Sequence, residues 1–347
     1  MMIKHQPLVS IIIVNFNGKN NLLSCLNSIA KNSYKNIEII IIDNGSNDDS
    51  LKKIENKQPV FNRKFKIIRN KHNLGFAKAN NQGLQLAKGE FILLVNNDVA
   101  LAKNTIGKLI EKIKENKITG VVQPKIVFSD TKKLQSGKTL FTNFGFLYYQ
   151  GYGKNPDDKK YNIGGSIFSA NGACMLIRKA TIKATGLFDN DFFAYYEETD
   201  FCHRAWLAGH QIIYEPSTLV FHKGAQTSKK QQEESIFFHS FKNRLVSTIK
   251  NFELKNLFFL IASLVFIYVF LVFFYLIKGK YNLSWAIIKA LVWNCFNLKA
   301  IVKKRKKIQN KIRKISDSSY LNSVSQKTNL NYYLRLLSHK NKEALMS

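Results

Sequence analysis

Acidic residues are scarce in this chain of 347 residues: 23 Asp and Glu stand against 53 Lys and Arg, which gives a formal net charge of +30. From residue 303 onward, twelve lysines and arginines accompany two acids. So strong a positive field needs an anionic partner, either nucleic acid, an anionic membrane face or a phosphorylated substrate. The sequence contains no helix-turn-helix, zinc-finger or RNP pattern, so we do not expect nucleic acid to be that partner.

Cysteine is also scarce, and the first residues do not have the pattern of a secretory leader. The apolar stretch 9–14 is short and runs into "NFNG" without a small-residue cleavage site, so we expect no signal peptide. The cysteines form no CxxC pair, which argues against a disulfide framework or a zinc site and is typical of a reducing cytosol. The four cysteines are Cys25, Cys174, Cys202 and Cys295.

The first hundred residues alternate between short aliphatic runs and longer stretches with helical spacing. The apolar runs "LVSIIIV", "IEIIIID", "KIIRN" and "EFILLV" predict four strands, and "NLLSCLNSIAKN" and "GFAKANNQGLQLA" predict helices. Strands that are almost wholly apolar and alternate with helices indicate parallel βαβ units covered on both faces. We therefore predict an α/β fold with a mostly parallel central sheet flanked by helices. Residues 129–165 lack periodicity and predict a long loop, and "QIIYEPSTLVFHK" predicts two short strands.

Polar side chains follow each of the four predicted strands at its carboxyl end, which is where open parallel sheets bind ligands. We expect these four tips to outline one pocket. They are Asn15 and Asn17, residues 43–46, Asn70 with residues 73–75, and residues 96–98.

The second half of the chain contains an apolar run without charge, residues 257–277. At about 1.5 Å per residue this run matches the roughly 30 Å of bilayer hydrocarbon, and a buried core helix is the alternative. Residues 283–302 are interrupted by polar side chains. A hairpin turning at residues 278–280 would return the basic end of the chain to the cytoplasmic side, as the positive-inside tendency favours.

These patterns divide the chain into four predicted parts. Residues 1–235 form the α/β domain, and residues 236–256 form an amphipathic helix that lies on the membrane surface or packs on that domain. Residues 257–302 form a transmembrane helix or helical hairpin. Residues 303–347 form a basic cytoplasmic tail that contacts anionic headgroups.

Six motifs in residues 8–250 resemble the inverting glycosyltransferases of family 2, which have the Rossmann-like GT-A fold. The closest resemblance is to the branch with rhamnosyltransferases and galactofuranosyltransferases of bacterial cell-surface polysaccharides. The motifs, in this order and spacing, are "VSIIIVNFNG", "IIIIDNGSNDDS", "NLGFAKANNQG", "NNDV", "FFAYYEETDFCHRAWLAG" and the final His of "STLVFH".

The resemblance implies a set of residues that bind a nucleotide-sugar donor. Asp43 corresponds to an acid that accepts a hydrogen bond from a pyrimidine N–H, although capping of the following turn is the alternative. Asn73 and Gly75 could offer backbone N–H groups to the donor, and a plain turn is the alternative for that pair. The other implied donor-binding residues are Asn15, Asn44 and Asn97.

The resemblance also implies a divalent cation, Mg²⁺ or Mn²⁺, bridged to the donor diphosphate. Family members carry Asp-x-Asp where this chain reads Asn96-Asn97-Asp98, so a single acid remains. His222 corresponds to a metal-coordinating histidine in part of the family. We therefore expect Asp98 and His222 to hold the metal, with a plain strand-end histidine as the alternative, and the loss of one acid puts metal dependence in question.

The acidic motif supplies the expected catalytic base. By resemblance Glu198 removes the proton from the attacking hydroxyl, and Asp200 is the runner-up or orients the acceptor. Arg204 lies four residues after Asp200 on one helix face and would pair with it. An ordinary acidic helix start is the alternative. Residues Asn171, Gly172 and Ala173 match the stretch that lines the junction of donor and acceptor, and an ordinary bend is equally permissive.

We therefore expect a membrane-attached glycosyltransferase on the cytoplasmic side of the inner membrane. It would transfer a sugar from a nucleotide-diphosphate donor, with dTDP-rhamnose or a UDP-sugar as candidates, to a lipid-linked glycan. Two alternatives remain. One is a catalytically inactive relative that binds nucleotide sugars, which Asn96 favours, and the other is a basic nucleic-acid-binding protein.

Overall fold

The computed structural model describes residues 6–55, 65–224, 233–328 and 332–333. The strands of this part of the chain are β1 (Val9–Asn15), β2 (Ile37–Asp43), β3 (Phe65–Arg69), β4 (Phe91–Asn96), β5 (Val99–Leu101), β6 (Thr119–Phe128), β7 (Leu134–Ser136), β8 (Thr139–Thr142), β9 (Leu147–Tyr149), β10 (Gly165–Ser166), β11 (Cys174–Arg178), β12 (Gln211–His222) and β13 (Ser325–Gln326).

The same residues form α-helices, a 3₁₀ turn at Lys159–Tyr161 and a π-helical turn at Ile308–Ile312. The α-helices are α1 (Asn21–Ala30), α2 (Ser50–Glu55), α3 (Phe76–Leu86), α4 (Thr105–Glu115), α5 (Lys179–Thr185), α6 (Glu197–Leu207), α7 (Glu233–Asn251), α8 (Leu254–Ile277), α9 (Tyr281–Phe296), α10 (Leu298–Lys307) and α11 (Ser318–Val324).

Ten strands form the central sheet, along the path β10-β12-β6-β11-β4-β1-β2-β3, with β5 paired to β12 and β7 to β6. The four predicted strands β1 to β4 are present, and β1 pairs in parallel with both β2 and β4, while β3 pairs in parallel with β2. The predicted α/β fold with a mostly parallel sheet is therefore confirmed. Strand β11 runs antiparallel between β4 and β6.

Helices cover both faces of this sheet because its strands are apolar on both sides. Ile11 and Ile13 of β1 pack in one core with α1 and α4, whereas the intervening Ile12 packs in a second core with α3 and α6. Successive side chains of a strand point to opposite faces, so an unbroken aliphatic run serves two cores at once.

Two predictions about local structure were wrong. Residues 129–165 are not one long loop, since they contain β7 to β9, the 3₁₀ turn and the start of β10, and β8 lies in a second, three-stranded sheet between β13 and β9. Strands of two to four residues are too short to show periodicity. The segment predicted as two strands is the single strand β12, whose register against β6 shifts between Glu215 and Leu219.

The helix predicted for residues 236–256 does not lie on the surface of the protein. Most side chains of α7 are buried, including its lysines Lys242 and Lys250 and its Arg244. Phe237 and Phe241 contact α8, whereas Lys242, Asn243 and Lys250 bind groups of the α/β domain. Of the two expectations for this segment, packing on the domain is therefore the one that the structure shows.

Helices α8 and α9 form a hairpin that turns at residues 278–280, where Gly279 has a φ of +67°. Among the described residues, α8 is long and apolar enough to cross a membrane, and α9 with the helix Leu298–Ile312, bent at 65°, passes the same test as one broken span.

The predicted basic tail is not a free tail over its described length. Residues 325–326 form β13 and pair with β8, and Tyr320 of α11 contacts the ring of His203, 2.7 Å from oxygen to nitrogen. The backbone N–H of Lys314 donates to the carbonyl of Leu207. The part of the predicted tail in 329–331 and 334–347 lies outside the described residues.

Candidate active site

The carboxyl ends of β1, β2 and β4 meet at one edge of the sheet, and their polar tips are linked by hydrogen bonds. Asn15 Nδ2 donates to Asp43 Oδ1 at 3.0 Å, and Asn97 Nδ2 donates to Asn15 Oδ1 at 2.9 Å. Asn44 Nδ2 donates to Asn73 Oδ1 at 2.8 Å. The expected convergence of the tips therefore occurs, because parallel strands place their carboxyl ends on the same side.

A cleft of about 260 Å³ opens in front of these tips. Its walls include ten of the residues predicted for the site, while Asn15 and Asp43 lie one layer behind them and are almost fully buried. The predicted residues that line the cleft are Asn44, Asn73, Gly75, Asn97, Asp98, Asn171, Gly172, Ala173, Glu198 and His222. The capping alternative for Asp43 is visible, since Ser46 N donates to its Oδ2 at 3.3 Å.

Two distant motifs close the cleft through a backbone contact at Gly75. The N–H of Phe76 donates to the carbonyl of Phe193 at 2.6 Å. Gly75 has a φ of +85°, and a Cβ at this position would lie 2.4 Å from the same carbonyl oxygen. Glycine is therefore required here, both for its backbone conformation and for the close approach of the two loops.

Asp98 and His222 face each other across the cleft wall. Nε2 of His222 lies 3.1 Å from Oδ1 of Asp98, and Nδ1 lies 2.8 Å from Oε1 of Gln135. A proton on Nδ1, donated to Gln135, leaves the Nε2 lone pair facing Asp98. One carboxylate oxygen and one imidazole nitrogen fit a divalent cation that takes its remaining ligands from diphosphate and water.

The described residues contain no group of three or more His, Cys, Asp or Glu side chains placed to share a metal ion. The pair formed by Asp98 and His222 would therefore depend on the donor's own oxygens. Asn96, which occupies the position of the missing acid, also lines the cleft. Gln135 was not predicted, because it lies in the segment predicted as a loop and no sequence signal connects it to His222.

Glu198 is the second residue of α6, after Glu197, and both acids line the cleft. Burial raises the pKa of Glu198 to about 7, although hydrogen bonds from backbone N–H groups, including that of Gly172, oppose the rise. Burial and the neighbouring Glu198 also raise the pKa of Glu197 well above its usual range. Oε2 of Glu197 has no hydrogen-bond partner within the described ranges. A carboxyl group whose pKa is near 7 is suited to accept a proton.

Asp200 and Arg204 do not line the cleft, which corrects their expected roles as runner-up base and junction residue. Successive helical residues are about 100° apart, so Asp200 points away from the side of α6 that carries Glu198. Its carboxylate is fully buried and contacts Arg204 Nε at 3.0 Å, Lys250 Nζ at 3.1 Å and Asn251 Nδ2 at 2.9 Å. Although burial alone would raise its pKa, these two cations hold the pKa of Asp200 below its usual range.

The wall of the cleft before α6 has an unusual backbone. Tyr195 and Tyr196 both have positive φ, 68° and 71°, a conformation that costs non-glycine residues about 1–2 kcal/mol each. Asn243 of α7 holds this turn, since its Nδ2 donates to the carbonyls of Ala194 at 3.0 Å and Tyr195 at 2.7 Å. The sequence contains no local signal for Asn243, because its partners lie some fifty residues away.

Comparisons with known proteins agree with this fold. Residues 10–186, about half of the chain, match the family described as glycosyl transferase family 2. A low-salt glycan biosynthesis hexosyltransferase of Haloferax volcanii is 26% identical over 57% of this chain and 61% of its own length. The glycosyltransferase GlyG of Streptococcus pneumoniae is 33% identical over 31% of this chain and 36% of its own length. The chain thus spans between a third and two thirds of these relatives.

Solved structures show the same fold at low sequence identity. The mannosyltransferase PcManGT from Pyrobaculum calidifontis, in complex with GDP-Man and Mn²⁺, has a TM-score of 0.55 at 13% identity, over 85% of this chain and 88% of its own. GalNAc-T7 with UDP, GalNAc and Mn²⁺ has a TM-score of 0.53 at 20% identity, over 62% of this chain and 43% of its own. With its strand-tip motifs and matched domain, the chain belongs to glycosyl transferase family 2.

Proposed function

We propose that this protein transfers a sugar from a nucleotide-diphosphate donor to a hydroxyl group of a glycan, with inversion at the anomeric carbon. The observation that carries this proposal is that Asp98, His222 and Glu198 line one cleft and that the pKa of the Glu198 carboxyl group is about 7. The reaction requires the donor diphosphate and the proton acceptor to lie close to the same sugar ring. This cleft contains Asp98 and His222 for the diphosphate with its metal ion, and Glu198 as the proton acceptor.

In the proposed reaction the acceptor hydroxyl gives its proton to the Glu198 carboxylate as its oxygen attacks the anomeric carbon. The bond from that carbon to the diphosphate oxygen breaks, and the nucleoside diphosphate leaves with the electron pair. A divalent cation bound by Asp98 and His222 would neutralise the charge of the leaving diphosphate. A single displacement needs one such carboxylate, unlike the paired acids of glycoside hydrolases.

The proposed donor is a pyrimidine sugar diphosphate, either dTDP-rhamnose or a UDP-sugar, as expected for the rhamnosyl and galactofuranosyl branch. Solved relatives bind UDP or GDP-Man, which supports a nucleoside diphosphate in this cleft and leaves the base to be tested. Asn15 and Asp43, which lie behind the cleft, are the proposed partners of the base. The proposed acceptor is a lipid-linked glycan on the cytoplasmic side of the inner membrane.

A screen of nucleotide sugars by thermal shift, with and without Mg²⁺ or Mn²⁺, tests the proposal. A true donor stabilises the folded protein by RT ln(1 + [L]/Kd), about 2.7 kcal/mol at a hundredfold excess over Kd. Asp98→Asn should remove the part of that shift that requires the metal, and Glu115→Gln, an exposed acid on α4, serves as the control. Stabilisation by no nucleotide sugar would contradict the proposal.

The inactive relative is the second candidate, and Asn96 in place of an acid is the observation that favours it. The two candidates differ at Glu198. An active enzyme releases nucleoside diphosphate in the presence of donor and acceptor, and Glu198→Gln should lose this release while it retains donor binding. A binding protein would show donor binding alone, in the wild type as well as in the variant.

A further inference from the structure

The hairpin of α8 and α9 presents an apolar face that the described residues leave open. Phe258, Phe266 and Phe273 are 60–75% exposed on α8, and Ile277 is 85% exposed at its end. These positions are eight, seven and four residues apart, which is close to whole turns of α8, so they share one face, and that face carries no charge. Exposed apolar surface of this length is unfavourable in water and indicates an interaction site.

The opposite side of the hairpin contacts α7 along most of its length. Phe237 contacts Tyr275 with ring centroids 5.5 Å apart, and Phe241 contacts Tyr268 at 4.5 Å, so α7 and α8 run antiparallel side by side. Helix α9 also lies along α7, since Asn294 Nδ2 donates to the carbonyl of Lys242 at 3.2 Å. The hairpin and α7 therefore form one layer.

Helix α7 in turn lies against the α/β domain. His239 stacks on Phe193 of the cleft wall at 5.2 Å, and twelve residues further on Asn251 binds a buried carboxylate of α6. These twelve residues correspond to about 18 Å of helix. The loop before β9 also meets α8, because a Cβ at Gly145 would lie 3.2 Å from the Leu264 side chain. The hairpin is thus fixed alongside the domain rather than pointing away from it.

This packing is incompatible with a hairpin that stands across a bilayer. The start of α7 lies beside the half of the hairpin that contains the turn, and Glu234 there forms an ion pair with Lys289 of α9. The first two residues of α7, Glu233 and Glu234, are both acidic. A hairpin inserted upright would carry these groups and the buried cations of α7 to the depth of the hydrocarbon, where charges are strongly unfavourable.

We propose that the α8–α9 hairpin lies in the plane of the membrane. Its open apolar face is inserted among the acyl chains nearest the headgroups of the cytoplasmic leaflet, and its turn stays on the same side of the membrane as the cleft. The exposed lysines Lys255 and Lys278 at the two ends of α8 and Lys299 at the start of α10 would contact anionic phosphates. Trp285 and Tyr281, both exposed on α9, are residue types that concentrate at the membrane interface. This inference rests on the proposed lipid-linked acceptor at the cytoplasmic side of the inner membrane, and it replaces the predicted spanning segment with an in-plane one.

The side on which the turn lies separates the two topologies. In the full chain, the exposed Cys295 is replaced by serine, which leaves three buried cysteines. Lys278→Cys then marks the hairpin turn, and Lys117→Cys marks an exposed loop of the α/β domain. A membrane-impermeant maleimide is applied to right-side-out and to inside-out vesicles of the expressing cells.

An in-plane hairpin predicts that both cysteines are labelled in inside-out vesicles and that both are protected in right-side-out vesicles. Labelling of the turn in right-side-out vesicles, with protection in inside-out vesicles, would mean that the hairpin spans the bilayer and would overturn the proposal. The loop cysteine controls for vesicle orientation in every sample.

A second measurement tests the occupant of the apolar face. Phe266→Glu should weaken co-flotation with vesicles of anionic phospholipid at least about tenfold. Leu86→Glu, an equally drastic change at an exposed leucine of α3, should leave it unchanged. Unchanged flotation of Phe266→Glu, or a detergent-free dimer that this variant dissociates, would overturn the proposal, the latter because a second copy would cover the face. Donor binding by thermal shift should be the same in both variants, so a failure here is distinguishable from a failure of the proposed function.

Discussion

Replacement of the proposed base, Glu198→Gln, should stabilise the folded protein at alkaline pH while it strongly slows transfer. A rise of the carboxyl pKa from 4.5 to about 7 makes the ionised form less favourable in the folded than in the unfolded state by about 3 kcal/mol. Water in the open cleft reduces this figure, so we expect a gain of roughly 1–3 kcal/mol. Glutamine keeps the shape of the side chain and removes the charge.

The sign of the pH dependence follows from the direction of the pKa shift. Because the folded state holds this proton more tightly, the contribution of Glu198 to the free energy of unfolding falls as pH rises from about 4.5 to about 7 and is constant above that range. The gain in Glu198→Gln should therefore be full at pH 8.5 and below about 1 kcal/mol at pH 5.

Urea unfolding of the wild type and the variant at pH 5 and pH 8.5 measures this difference through the midpoint and slope. Asp200→Asn provides the opposite control on the same helix. The pKa of Asp200 is depressed by the buried Arg204 and Lys250, so Asp200→Asn takes a carboxylate away from these two cations and should cost about 3–5 kcal/mol at pH 8.5. A loss of stability in Glu198→Gln at pH 8.5, or an equal effect at both pH values, would refute a desolvated carboxyl group at this position. Transfer should fall by roughly 10²–10⁴.

The remaining predictions concern the groups around the cleft. Lys250→Met removes the cation that the buried carboxylates of Asp189 and Asp200 share, so the free energy of unfolding measured in urea should fall by about 3–5 kcal/mol. As the control, Lys112→Met breaks a partly exposed ion pair with Glu115 and should change the free energy of unfolding by less than about 1 kcal/mol. Gln135→Leu removes the hydrogen-bond partner that orients the His222 ring. A titration of the donor-dependent thermal shift with Mn²⁺ should therefore show roughly 10–100-fold weaker metal binding. An unchanged titration would contradict the role of His222 as a metal ligand. Asn243→Ala removes the hydrogen bonds that hold the turn at Tyr195 and Tyr196, whose φ angles are both positive. Steady-state kinetics should then show a lower kcat with little change in donor affinity. An unaltered kcat would show that the turn keeps its conformation without Asn243.

The part of the fold that could be predicted from the sequence is the part whose signals are local. Aliphatic runs that end in Asn15, Asp43 and Asn97 predict parallel strands with a common edge, and the structure links these side chains by hydrogen bonds. The separation of Glu198 from Asp200 was also within reach of the sequence, because residues two positions apart on a helix point to opposite sides.

The surroundings of α7 could not be predicted, because they depend on contacts distant in sequence. Phe237 and Phe241 form an apolar stripe, which predicts an amphipathic helix but does not identify what covers it. The polar face of the helix is equally ambiguous. Lys250 and Asn251 would suit solvent, yet both bind carboxylates of the α/β domain some fifty residues away. A helix that is buried by polar contacts on one side and apolar contacts on the other has the sequence of a surface helix.

The position of α7 between the cleft wall and the hairpin makes the two halves of this protein inseparable in practice. A chain shortened after residue 251 would uncover Phe237 and Phe241, and it would also lose Lys304, whose amino group neutralises Asp189 and Asp191 in the α/β domain. Such a fragment would aggregate through its newly exposed apolar surface instead of behaving as a small soluble enzyme. Purification should therefore retain every residue through β13 and supply a mild amphiphile for the outer side of the hairpin.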